Sequence, residues 1–202
     1  MSRISAVIPN TYEELLFDAG IVFENLDYSA ATDATSLYAL VRAAIATDEC
    51  LGATRGGLNW SSTAEYDEIE LDDVFVTVKG SVQKGKITVT VALTLTQFSP
   101  TNAQRLINAS DITEEGNITT LRERTSIDLD DYMDHLVIVA RQGVGNYAII
   151  DMENVINVSA GTVQTNNQGQ AEMAVTFQAS VGDPESTTAP YGIKWFKNAP
   201  TP

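Results

Sequence analysis

The sequence predicts a mainly β protein, a β-sandwich or barrel-like fold with a long central hairpin and one short flanking helix. Three features carry this expectation. Large apolar residues fall at every second position from Ile87 to Leu95, between Lys86 and Thr96, the period of a half-buried strand. Further along, apolar residues come in short runs separated by turn residues such as Gly143, Gly145, Gly161 and the run Asn166-Asn167-Gln168-Gly169. The clearest helix start, Ser99 as N-cap with Pro100 at the first helical position, announces only a short crossing segment. Many short strands beside one helix belong to a sandwich or a barrel.

The chain is organised around residues 51–98. A glycine-rich lead-in, Leu51-Gly52-Ala53-Thr54-Arg55-Gly56-Gly57, precedes two alternating segments joined by a basic loop over residues 73–85. In the first segment, residues 65–72, strand alternation puts Glu68, Glu70 and Asp72 on one face and Ile69 and Leu71 on the other. In the second, Ile87, Val89, Val91, Leu93 and Leu95 face inward while Thr88, Thr90, Thr94 and Thr96 face out. A face of short hydroxyls is hydrated yet smooth. The plainer reading is that threonine is a good strand former wherever a face is exposed.

The remaining elements follow in order. Ile21, Val22 and Phe23 read as a short strand ending at Glu24-Asn25. Leu37, Leu40, Val41, Ala44 and Ile45 fall at helical spacing behind caps at Asp33 and Thr35, a short amphipathic helix with extended structure as the alternative. Further strands are expected over residues 117–127, 136–140, 147–150, 154–158 and 171–181. Tyr191, Ile193, Trp195 and Phe196 mark a last strand or arm. No internal repeat interrupts what is expected to be one domain over residues 1–202.

Composition narrows the function classes. With 27 acidic against 12 basic side chains, a formal charge of −15, the surface would repel a polyanion rather than hold nucleic acid. The single cysteine, Cys50, permits no intrachain disulfide and no cysteine metal cluster. The apolar run in the first nine residues is too short for a secretory signal, and no stretch reaches the ~20 residues that span a bilayer. A cytoplasmic origin and no membrane partner are therefore expected. His135 is the only histidine and no Gly-x-Ser-x-Gly elbow is present, so no catalytic residue and no enzyme activity are expected. Asp128, Asp130, Asp131, Asp134 and His135 are the best metal candidate, but they lack the glycine and distal glutamate of an EF-hand loop. A solvated acidic turn is the preferred reading, with no metal or cofactor expected. Trp60, Tyr191, Trp195 and Phe196 could stack on a sugar, although core or interface packing is the commoner fate of such rings.

The run Leu51 to Trp60, then Glu68-Ile69-Glu70-Leu71-Asp72, Val78-Lys79-Gly80 and Ser99-Pro100-Thr101-Asn102, resembles the major tail tube proteins of long-tailed bacteriophages. Asp131-Tyr132-Met133-Asp134-His135-Leu136-Val137-Ile138-Val139, Ile149-Ile150-Asp151-Met152-Glu153-Asn154-Val155 and Val175-Thr176-Phe177-Gln178-Ala179 resemble later strands of that family, in order, across residues 51–195.

The resemblance implies a structural virion protein. Its copies would form hexameric rings stacked into the tail tube, assembled in the host bacterial cytoplasm. The implied partners are other copies of the chain, the tape-measure protein, the tail terminator and the distal tail proteins. DNA would pass through without specific binding, along a lumen lined by Glu68, Glu70, Asp72, Thr88, Thr90, Thr94 and Thr96. By the same resemblance, Lys79 and Lys84 of the 73–85 loop would reach the next ring, and residues 1–17 and 191–202 would be arms between subunits. The rival reading is a monomeric β-sandwich binding module, carbohydrate-binding or tail-associated, built around Trp60 or Trp195.

Overall fold

The computed structural model describes residues 16–47, 49–69, 76, 79–159, 161–165 and 171–198. The strands in chain order are β1 (Leu16–Glu24), β2 (Thr54–Glu68), β3 (Val82–Leu95), β4 (Ser110–Glu115), β5 (Ile118–Glu123), β6 (Met133–Gln142), β7 (Asn146–Asn157), β8 (Thr162–Gln164), β9 (Glu172–Ala179) and β10 (Tyr191–Phe196). Helix α1 (Ala34–Ala46) lies between β1 and β2, and α2 (Pro100–Leu106) between β3 and β4. The protein is mainly β, and every strand pairing is antiparallel.

Two four-stranded arrangements are joined through one strand. The first runs β1-β6-β7-β10 and the second β2-β3-β9-β8. The far end of β7 crosses between them, pairing Ile156 and Asn157 with Gln178 and Phe177 of β9. Asn154 adopts a left-handed φ of 47° within β7, a conformation asparagine tolerates better than most residues, and its amide donates to the carbonyl of Ser180.

Burial explains the two kinds of strand pattern. Val89, Val91, Leu93 and Leu95 of β3 and Met173, Val175 and Phe177 of β9 pack against Val22, Leu136, Ile138, Met152 and Val155 in the core between the sheets. Only one face of β3 is covered, so its sequence alternates. Strand β6 is covered on both: Leu136 and Ile138 face that core, while Val137 and Val139 face Leu37, Val41 and Ala44 of α1. Its sequence is accordingly an unbroken apolar run. The result is three layers, with α1 on the outer face of the first sheet.

The helices form where their caps predict, but there are two of them rather than one. Asp33 caps α1, its carboxylate accepting from the backbone of Ser36 at 2.8 Å while the Ser36 hydroxyl accepts from the Asp33 backbone at 3.0 Å. Ser99 caps α2 by accepting from the backbone of Asn102 at 3.1 Å. Arg105 on α2 holds Glu24 at the end of β1 through Nε, at 3.0 Å, and through a second, closer guanidinium contact.

Other expectations are corrected. Strand β2 begins at Thr54, so the glycine-rich lead-in is part of the strand and residues 65–68 are its end rather than its start. Gly56 and Gly57, at φ of 77° and 81°, form the bulge that shifts the register between Thr54 and Leu58. Gly20 marks a second close approach: a Cβ there would lie 3.0 Å from Leu58, where β1 passes β2. The segments expected at 147–150 and 154–158 are one strand, β7, while β4 and β8 carry too little pattern to be expected. Tyr191–Phe196 pairs with β7 of its own chain instead of extending as an arm. Of residues 1–17, expected as the other arm, Leu16 and Phe17 pair with β6 and the rest lie outside the described residues.

Candidate assembly surface

The second sheet turns one face to the core and the other outward. Residues directly opposite each other in an antiparallel pair share a face, so the register builds the outward face strand by strand. Asn59, Ser61 and Thr63 of β2 stand across from Ala92, Thr90 and Thr88 of β3. Thr90, Ala92 and Thr94 stand across from Gln178, Thr176 and Ala174 of β9, and Thr162 of β8 is opposite Ala174 in turn. A field of hydroxyls and amides therefore spans four strands. The hydroxyls of Ser61 and Thr90 are 2.9 Å apart, and the carboxylate of Glu172, opposite Gln164, is paired with Arg55. Thr88, Thr90 and Thr94 lie on this face as alternation requires. Thr96 lies past the end of β3, its hydroxyl donating to the carbonyl of Ala53 at 3.0 Å.

Beyond Ala64 the β2–β3 hairpin leaves the body: residues 65–68 and 82–86 are exposed on both faces. From the pair Ala64–Ile87 to the pair Tyr66–Lys84, β2 advances two residues and β3 three, so the extra residue belongs to β3 at Gly85-Lys86. Alternation in β2 is undisturbed. Glu65 and Asp67 continue the face of Thr63, and Glu68 falls on the opposite face with Tyr66, across from Val82. A Cβ added to Gly85 would lie 3.2 Å from the Asp67 carboxylate and 3.6 Å from the Glu65 Cβ, which fits this assignment. Glu68 thus does not join the threonines in one wall. Glu70 and Asp72 lie outside the described residues. Lys79 is exposed in the turn, and Lys84 is a strand residue of β3 rather than part of a loop reaching to residue 85.

No protein-family model matches the chain, and no curated protein matches it in sequence. The outward residues that the sequence reading missed, Asn59, Ser61, Thr63, Thr176 and Gln178, do alternate with apolar or small residues in their own strands. Met173, Val175, Phe177 and Ala179 bury the complementary face of β9 as completely as β3 buries its own.

The other candidates have structural occupations. Asp151 accepts from the Tyr28 hydroxyl at 2.6 Å and sits 3.0 Å from Nδ1 of His135, tying β6 and β7 to the segment after β1. Lys194 lies 4.6 Å above the Tyr28 ring. Arg124 reaches Asp111 at 3.2 Å and Asp131 at 2.5 Å, and also contacts Asp128, so a guanidinium stands among the carboxylates of the acidic turn. Among the described residues no group of three or more His, Cys, Asp or Glu side chains is placed to hold a metal ion. The four aromatic rings do not form one platform: Trp60 meets Tyr191 edge-on at 5.2 Å, Phe196 meets Tyr28, and Trp195 is exposed apart from them.

Burial first, and then the hydrogen bond to Asp151, raise the pKa of Tyr28 far above its usual 10.0. A raised folded-state pKa contributes stability that is complete below the unfolded value and is lost as pH rises toward the folded one. The melting temperature of the protein should therefore fall between about pH 9.5 and 11.5, and Tyr28→Phe should flatten that fall. Melting curves of both proteins across this range check it; parallel curves would remove Tyr28 as the cause.

Proposed function

We propose that this chain is a tube-forming structural protein of the major tail tube kind, a virion component whose copies join into hexameric rings that stack into a conduit for DNA. The observation that carries the proposal is the second sheet. Its outward face is hydroxyl and amide across four strands, and its outermost strands, β2 and β8, each hydrogen-bond to only one neighbour among the described residues. An unpaired edge as long as β2 is an aggregation hazard in a monomer and an assembly surface in a ring, where a neighbouring copy continues the sheet. With the outward face lining the bore, α1 and the first sheet lie outside.

The chemistry suits a passage. A hydrated wall of hydroxyls and amides, in which Arg55 is already paired with Glu172, offers phosphates little to replace their counterions, and a net charge of −15 opposes adhesion at longer range. Glu65 and Asp67 take the lumenal role that the resemblance, read with alternation, assigns to Glu68. The tape-measure, terminator and distal tail proteins are the partners of such a tube, and the virion tail its location.

In such a tube the distal hairpin, exposed and carrying Tyr66, Val82 and Lys84 on one face, would reach the neighbouring ring. Charge reversal of Lys79 and Lys84 to glutamate should leave the fold intact and abolish long polymers. Circular dichroism and sedimentation read the two effects separately, and normal polymer length in the double variant would contradict the inter-ring role.

A further inference from the structure

The β4–β5 hairpin is a sheet of its own, joined to no other strand among the described residues. A lone two-stranded hairpin is marginal in water unless something packs against it. Here Ser110 is buried and the opposed Ile112 and Leu121 are partly covered, but every residue over 113–120 is exposed, Ile118 to 68%. The tip carries Glu114 and Glu115, with Ile118 directly across from Glu115. It is an acidic projection with an apolar residue at its end.

A matching concavity lies elsewhere on the chain. A cleft of about 660 Å³ opens between the start of β3, the end of β9 and the segment before β10. Lys84 and Lys86 line it, together with the apolar Ile87, Val181, Ala189 and Pro190. Neither lysine makes an ion pair among the described residues. They form a small basic pair on a chain with more than twice as many acidic as basic side chains. No residue of the β4–β5 hairpin lines the cleft, so the hairpin of the same copy does not occupy it.

Resting on the tube reading above, we propose that the β4–β5 hairpin of one copy docks in this cleft of another, Glu114 and Glu115 against Lys84 and Lys86, with Ile118 against the apolar lining. Projection and receptor are different surfaces, so the contact is head-to-tail and propagates from copy to copy, as rings and stacked rings require. Opposite charges at its rim set its association rate and its sensitivity to salt.

A charge swap tests it with the full chain, using sedimentation velocity and thermal melting. Lys84→Glu/Lys86→Glu and Glu114→Lys/Glu115→Lys should each melt like the wild type yet associate at least about tenfold more weakly. An equimolar mixture of the two should recover association, because every contact between unlike copies then pairs opposite charges. Two double variants that associate like the wild type, or a mixture no better than either alone, would overturn the docking while leaving the tube reading in place. A wild type that stays monomeric would overturn both. A wild type that binds a DNA oligonucleotide through Lys84 and Lys86, with self-association unchanged by their reversal, would assign the cleft to phosphate and overturn the docking.

Discussion

Replacing Phe177 with alanine is expected to cost about 3–5 kcal/mol of folding stability, the range for removing a large aromatic side chain from a packed interior. Phe177 is fully buried on β9, where that strand passes from β3 to the crossing end of β7, and its ring packs in the core between the two sheets. No polar group is needed to hold it, so the loss is packing and transfer free energy, with a cavity that flanking strands cannot close without breaking register. Against a typical total of ~5–15 kcal/mol, such a loss threatens the fold itself. Chemical denaturation should show the midpoint moving sharply with little change in slope. Ala174→Ser, three strand positions earlier and so exposed on the outward face, should stay within about 0.5 kcal/mol and serves as the control.

The second large effect concerns passage rather than stability. Thr88→Lys with Thr90→Lys places two cations per copy on the outward face of the second sheet, and a ring repeats them around its bore. Threonine and lysine both tolerate a half-exposed strand position, so folding and assembly should persist. Assembled tubes of the variant should then retain DNA that wild-type tubes do not. The salt dependence of that retention should steepen by roughly 0.9 logarithmic units per phosphate contacted. DNA binding measured on assembled material at two salt concentrations reads this. If the substituted tubes are as indifferent to DNA as the wild type, the threonine face does not line the passage.

Much of the framework was legible because its determinants are local. The alternation of β3 fixed both its existence and its buried face, and Asp33, Ser99 and Pro100 marked the two helix starts. What escaped the sequence depends on long-range pairing. Strand β2 reads as a loop near Gly56 and Gly57, yet that glycine pair is a bulge inside a strand held by β3. A strand that starts at residue 65 groups Glu68 with the threonines. Once the strand runs unbroken from Leu58, simple alternation gives Glu65 and Asp67 instead. Strands β4 and β8 are short and mostly exposed, so no apolar period announces them. The acidic turn keeps a cation site as its second reading because the arginine that occupies it, Arg124, lies outside the run of carboxylates.

Electron microscopy of the purified full-length chain at rising concentration tests the central claim most directly. The account predicts rings that stack into hollow tubes, with Thr88, Thr90 and Gln178 of the second sheet toward the bore and α1 on the outside. Particles that remain single molecules, or a tube whose bore is lined by α1, would contradict it.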